Sequence, residues 1–356
     1  MIEKFKEYYK NTKQKIENRM EVYNQELERE NNSLLKDNFK LFTNLNRDGK
    51  LVRGTLVNLG YTILKDDNDY SLDLSLAYEV FQTGILVHDD IIDNDDTRRG
   101  KDTIHHANIQ KYQKYSNDQD EVKHFSDSIA ICMGDYGLYE ANRIISETYK
   151  DDPNLGRVLS NFNHTVLTTI RGELMDVILP FHGKNNLISK ENIEKDIMEI
   201  YRLKTAHYTI IGPLSVGILL AGGTEKMVQA IEKFGEKVGI AFQIQDDVLG
   251  IYSDNLGKVK GSDIKEFKQT ILYSHILKTD YKTELLKLYG KDDLTEDNIQ
   301  KVQDLFKKAG SYDYAIQTMN QLYDESLLLL ESYDWISEDK KDLLRGFVNY
   351  LRERNK

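Results

Sequence analysis

Two groups of aspartates carry the most chemical information in this chain. They are Asp89-Asp90-Ile91-Ile92-Asp93 and, far downstream, the Asp246-Asp247 pair that closes Phe242-Gln243-Ile244-Gln245-Asp246-Asp247. On a helix, residues four apart share a face, so Asp89 and Asp93 project the same way with Asp90 beside them. Carboxylate oxygens with no Cys or His among them suit Mg²⁺, which keeps several waters and bridges a few carboxylates to a substrate's phosphates. A second group facing the first would hold a diphosphate between them. Acidic runs are ordinarily solvated surface. Here Asp89 follows the apolar stretch 81–87 and Asp246 follows 238–244, so both groups end helices that read as buried. A buried charge needs a partner, and a metal ion is one. An EF-hand does not fit, because the glycine and the closing glutamate are not at their loop positions.

The cations cluster as well. Lys50 and Arg53 open a helix, at a terminus where the dipole and free N–H groups also favour an anion. Arg98-Arg99-Gly100 follows the first aspartates, Lys204-Thr205 lies inside an otherwise apolar helix, and Lys258 and Lys268 flank a glycine-containing loop after the second group. Each alone is explained by solubility. Together they suit two diphosphates, one wrapped in metal ions and one held by guanidinium and ammonium groups.

The elements that must position these residues are helical. Only three prolines (Pro153, Pro180, Pro213) interrupt 356 residues rich in helix formers, and sheet-building signals are missing. At 40% hydrophobic the chain can bury a large core, and no linker or repeat divides it, which predicts one domain over 1–356. Residues 1–38 read as a charged, solvent-facing helical extension packed on that domain. Helices are expected at 51–64, 74–93, 126–148, 155–179, 190–220, 225–252, 262–278, 295–308, 312–332 and 338–353, with an irregular basic loop at 94–118. A net charge of −11 speaks against a nucleic-acid partner. The single cysteine, Cys132, fits a reducing cytoplasm and is expected to be a packed core thiol. The start Met1-Ile2-Glu3-Lys4 lacks the apolar core of a signal peptide, and the longest apolar stretch, 210–221, is too short for a transmembrane segment.

Over nearly its whole length the chain resembles the trans-isoprenyl diphosphate synthases (polyprenyl synthetases). The pieces that carry the resemblance are, in order, GKLVR at 49–53, VHDDIIDNDDTRRG at 87–100, MGDYGL at 133–138, LKT at 203–205, FQIQDD at 242–247 and GKVKGSDIKEFKQT at 257–270. It implies an all-α, single-domain helical bundle around a deep central cavity, usually a homodimer, that condenses isopentenyl diphosphate with an allylic diphosphate. By the resemblance, Asp89, Asp93 and Asp246 coordinate a set of three Mg²⁺ ions, with Asp90 and Asp247 supporting. Lys204, Lys258 and Arg98 hold the allylic diphosphate, with Lys268 beside the loop. Lys50, Arg53 and Arg99 hold isopentenyl diphosphate, and Thr205 and Gln243 offer oxygen dipoles to the cationic carbon. Glu173 and Asp176 face the cavity.

Two departures from the family pattern stand out. Gln82 takes the place of a histidine that helps bind isopentenyl diphosphate, and Gly250 takes the place of the last aspartate in the second motif. Gly250 also opens a rival reading, a class I terpene cyclase acting on a single prenyl diphosphate, because Asp246, Gly250 and Asp254 fall at its metal-set spacing. Lys50, Arg53 and Arg99 argue for the synthase, since a cyclase has no use for a second diphosphate site. A silent partner subunit of a two-component synthase is the third reading, against which the retained aspartates count. Product length is expected to follow the helix before Asp89. Gly84 with Ile85 beside it leaves room for a growing chain and Phe81 and Tyr78 form a deeper floor, which implies geranylgeranyl or a longer product.

Overall fold

The computed structural model describes residues 1–356 except 30–31, 67–68, 186, 188–191, 253–260, 292–293 and 354–356. Among the described residues there are sixteen α-helices, one π-helix and a two-stranded hairpin. The expected Lys258, and Asp254 of the rival reading, lie outside the described residues.

The chain divides into two compact units, one of residues 6–161 and 213–224, the other of 1–5, 162–212 and 225–356. The first holds most of α1 (Ile2–Leu27), then α2 (Lys36–Arg47), α3 (Val52–Thr62), α4 (Leu72–Ile92), α5 (Ile104–Tyr112), α6 (Gln119–Thr148) and most of α9 (Gly212–Leu220). The second holds most of α7 (Leu155–Lys184), α8 (Ile193–Ile200), the π-helix Tyr201–Ile211, α10 (Glu225–Tyr252), three short helices α11 (Ser262–Lys265), α12 (Ile271–Ile276) and α13 (Lys282–Leu285), and α14 (Glu296–Lys308), α15 (Ser311–Glu331) and α16 (Glu338–Glu353).

Several boundaries differ from the sequence expectation for identifiable reasons. The N-terminal helix is not simply solvent-facing: Ile16 packs with Leu51 and Leu72, while Met20 and Tyr23 are also buried. The stretch 94–118 is more ordered than a loop. Thr97–Arg98 pairs with Lys101–Asp102, and α5 buries Ile104, His105 and Asn108. Helix α6 starts seven residues early because the Asp118 carboxylate accepts from the N–H groups of Asp120 and Glu121, a side-chain cap. The single helix expected at 262–278 is broken into α11 and α12. Phe267 adopts a left-handed φ of 59°, and Thr270 restarts the helix by capping Tyr273 N–H. Pro213 falls where the wider π-helical turn gives way to α9, a place where the missing N–H is tolerated. The run Ile193–Leu220 is long and apolar enough to cross a membrane by length and composition, yet nearly all of it is buried inside the protein.

In the first unit α4 and α6 form the central crossing. A Cβ added at Gly84 would lie 2.8 Å from the Gly134 carbonyl oxygen and 3.1 Å from Gly137 Cα. The two backbones touch there, which corrects the expectation that Gly84 leaves room for a product chain: the missing side chain is replaced by α6 itself. Gly84→Ala therefore has to push two helices apart. It should cost about 2 kcal/mol, typical of overpacking, read as a lower urea midpoint with an unchanged slope; an unaltered midpoint would show that the crossing has slack.

Candidate active site

The first unit gathers the first aspartate group and the Arg98-Arg99-Gly100 turn. Arg99 has φ 55° and Gly100 φ 76°, a reversal that sends the neighbouring arginines to different partners. Arg98 Nη2 lies 2.9 Å from Asp89 Oδ2 and 3.5 Å from Asp95 Oδ2, and its Nε donates to Asp90. Among the described residues no three His, Cys, Asp or Glu side chains are preassembled around a metal position; Asp89 and Asp90 converge on a guanidinium instead. Asp90 is fully buried, and burial pushes its carboxyl up to about 7 in spite of Arg98. Burial also works against the Arg98 charge, but Asp90 and Asp89 outweigh it and leave its pKa raised. Among the described residues, Asp90 Oδ2 is buried with no hydrogen-bond partner. All the donors are hard carboxylate oxygens that already draw a cation, so this set fits Mg²⁺.

Three turns before Asp89 on α4, Glu79 is buried under the N-terminus of α3, and its Oε1 accepts from Gly54 N–H at 2.6 Å. The Arg53 N–H donates to it as well. The terminus expected to offer free N–H groups to an anion is thus already capped by a carboxylate from α4. Any diphosphate here must rely on side chains. A small cleft holds Gln82, Glu79, Arg99, Asn46 and Thr83 together, with about 10 Å³ of free space, room for roughly one water. Arg53 is half-buried and Lys50 exposed at the same helix start. Arg99 is pulled below its ordinary pKa by burial and then by the Arg98 charge.

In the second unit, Lys204 and Thr205 sit in the π-helix, whose irregular turns often mark functional positions. The helix crosses α10 where a Cβ on Gly239 would collide with Ala206. Lys204 Nζ lies 2.8 Å from Glu173 Oε2 and 2.7 Å from Asp176 Oδ2, both on α7. The Thr205 hydroxyl donates to Gln243 Oε1 at 2.6 Å, and Gln243 Nε2 donates to Asp247 Oδ1 at 2.9 Å. Tyr201 donates to the other Asp247 oxygen. Both Asp247 oxygens thus accept a hydrogen bond within the protein, and through Gln243 the residue braces Thr205. Burial pushes its carboxyl up to about 7, against the pull of Lys268, whose Nζ is 4.0 Å away. Asp246 stands half-buried beside it on α10.

One residue missed from sequence answers the Gly250 departure. A Cβ at Gly250 would lie 2.7 Å from Asp263 Oδ2, so a carboxylate from α11 fills the space of the absent side chain, with Lys268 Nζ 4.0 Å from Asp263 Oδ1. Glu79 was missed too, though an acid amid the apolar residues of α4 was a visible signal, and Tyr201 gave none. His88, beside Asp89, has its Nε2 3.2 Å from Asp135 Oδ1. Cys132 is exposed, a correction: on α6 it shares the outward face of Phe125 and Tyr139, seven residues away on either side.

The polyprenyl synthetase family model matches residues 36–306. A short chain isoprenyl diphosphate synthase of Methanocaldococcus jannaschii is 30% identical over 269 residues, 74% of each chain. A geranylgeranyl diphosphate synthase of Sulfolobus acidocaldarius is 28% identical over 327 residues, 90% of this chain and 89% of its own. Among solved structures, the geranylgeranyl pyrophosphate synthase of Corynebacterium glutamicum, complexed with isoprenyl diphosphate and magnesium, has a TM-score of 0.82 at 26% identity and covers 99% of both chains. These matches define the class, an enzyme that elongates prenyl chains, a trans-prenyltransferase. The chain belongs to the polyprenyl synthetase family. The relatives lend no support to the cyclase reading.

The π-helix also carries His207, buried beside His164 and Arg202. Burial, then the Arg202 charge, pushes it down to about 4. A histidine with a lowered folded pKa contributes stability that is complete above its unfolded value near 6.5 and is lost as pH falls toward 4. His207→Gln should remove an acid-side loss on the order of 3 kcal/mol, measured by urea unfolding at pH 7 and pH 4.5; parallel losses in both proteins would refute the assignment.

Proposed function

We propose that this chain condenses isopentenyl diphosphate with an allylic prenyl diphosphate, head to tail and trans, to give geranylgeranyl diphosphate or a longer polyprenyl product. The observation that carries the reading is the spacing of two anion-handling sets along α4. Gln82, in the cleft with Arg99, and Asp89, in the carboxylate set, are seven residues apart. They therefore share a helix face at a separation of roughly 10 Å. That distance suits two diphosphates whose prenyl carbons must meet, and a single-substrate cyclase would not need the first set.

In this reading Asp89, Asp93 and Asp246 hold Mg²⁺, three ions in all, and Asp263 supplies a carboxylate where Gly250 has none. Bound Mg²⁺ would neutralise the diphosphate as it departs. Lys204, Lys258, Lys268 and Arg98 bind the allylic diphosphate, for which Arg98 exchanges its carboxylates. Lys50, Arg53, Gln82 and Arg99 hold isopentenyl diphosphate by charge and hydrogen bonds. The Thr205 hydroxyl donates its hydrogen bond to Gln243 Oε1, so its oxygen lone pairs are left to face the developing allyl cation. The two units act as one catalytic domain, in the cytoplasm. The chain works as a homodimer, supported by the exposed apolar row Leu167, Ile170, Leu174, Val177 and Phe181 on α7, whose alternating spacing of three and four is that of a helix seam.

The reaction is tested by supplying Mg²⁺, labelled isopentenyl diphosphate and each allylic primer, then sizing the dephosphorylated alcohols. Label should enter a chain of four or more prenyl units, and Asp89→Asn or Asp246→Asn should lower kcat at least about 10²-fold. Hydrocarbon formed from an allylic diphosphate alone would replace the reading by the cyclase. For product length, Phe81 and Tyr78 are sealed in the core while Ile85 is partly open, so Ile85→Phe should shorten the product by at least one unit. An identical alcohol profile would place the length control elsewhere.

A further inference from the structure

Glu79 has no part in the chemistry above, yet it is a buried acid beside the basic set, 3% exposed. It reaches α3 from a different helix. A Cβ at Gly54 would lie 3.0 Å from Ser75 O and 3.3 Å from Glu79 Cγ, so α3 and α4 cross too closely for any side chain at 54. Through that crossing the carboxylate meets the N–H groups of Arg53 and Gly54, and the N-cap residue, Leu51, supplies no side-chain cap of its own. Burial, the largest influence on this carboxyl, pushes its pKa up, against the pull of the Gly54 N–H and of the guanidinium charges of Arg53, on α3, and Arg99, on the hairpin turn. One buried carboxyl therefore ties the turn that carries Lys50 and Arg53 to the α4 face that carries Gln82, and lines one cleft with Arg99.

We infer that Glu79 is the positioning residue of the isopentenyl diphosphate pocket, a buried carboxyl that holds the first turn of α3 with Arg53, and the Arg99 side of the same cleft, in their binding arrangement before substrate arrives. The inference rests on the reading that Lys50, Arg53 and Arg99 hold that diphosphate. Two electrostatic effects compete on removing the charge. A neutral residue at 79 no longer repels the incoming diphosphate, which would tighten binding. It also takes away the acid that Arg53 and Arg99 share, leaving Asp48 to act on Arg99, and loosens the first turn of α3, which weakens binding. The second effect wins, because the charge-assisted hydrogen bonds to backbone fix the position of Lys50 and Arg53 together, whereas the repulsion acts at longer range.

Glu79→Gln keeps the shape and one acceptor oxygen, removes the charge and turns the second oxygen into an N–H donor. It should raise KM for isopentenyl diphosphate about tenfold, leave KM for the allylic primer within about twofold, and change kcat little, a split that a merely structural loss would not produce. Arg99→Gln is measured alongside. If Arg99→Gln raises KM for isopentenyl diphosphate and Glu79→Gln leaves it unchanged or lowers it, the role of Glu79 is overturned while the pocket stands. If Arg99→Gln has no effect on that KM, the pocket assignment falls and the role of Glu79 with it. Should the glutamine protein not fold, Glu79→Asp, which keeps the charge but draws it back from α3 by about one methylene, is measured in its place and must show the same substrate-selective rise in KM.

Discussion

Placing carboxylates side by side at the ends of apolar helices is the constraint on which this structure turns. Left alone, such groups would take up protons or drive the helix ends apart. The protein answers with cations and hydrogen-bond donors of its own. Arg98 serves Asp89, Asp90 and Asp95; Lys204 serves the two acids on α7; Tyr201 and Gln243 hold Asp247; and backbone N–H groups hold Glu79. These acids are thus delivered with partners that keep them ordered. An enzyme whose chemistry is charge neutralisation benefits from such prearrangement, because side chains already in place need not be reorganised during ionisation of the substrate.

The fold was largely legible because the chain is consistent with itself: few prolines and apolar residues at helical period. The failures came from geometry that no local pattern encodes. Gly84 reads as open space in one dimension and is contact between two backbones in three. Cys132 lies in an apolar run that covers both faces of α6, and its outward placement depends on where the helix is rotated. Phe267 breaks a helix by adopting a left-handed conformation, for which an aromatic residue gives no hint.

The site was legible in its residues and less so in their connections. Motif spacing named the aspartates and basic side chains, since helical period alone puts Asp89 and Asp93 on one face. It could not show that Asp263, from a different helix, fills the place left by Gly250, or that Thr205, Gln243, Asp247 and Tyr201 form one hydrogen-bonded chain across residues far apart in sequence. The 22 tyrosines also acquire a partial account. Tyr201 braces a buried acid, while Tyr149 and Tyr289 donate to backbone carbonyls inside the core and Tyr323 donates to Gln245, so phenolic hydroxyls satisfy polar groups that water cannot reach.

The contact of α4 with α6 has a consequence for how such an enzyme can diversify. Where a helix lining a substrate channel is free to accept bulk, product size can drift by single substitutions at little risk. Here one flank of α4 is welded to its neighbour, so enlargement on that side threatens the whole unit. On the proposed reading, in which α4 lines the product channel, innovation in product size is funnelled to the flank that stays open, and the repertoire of viable descendants is set by a stability limit more than by the catalytic groups.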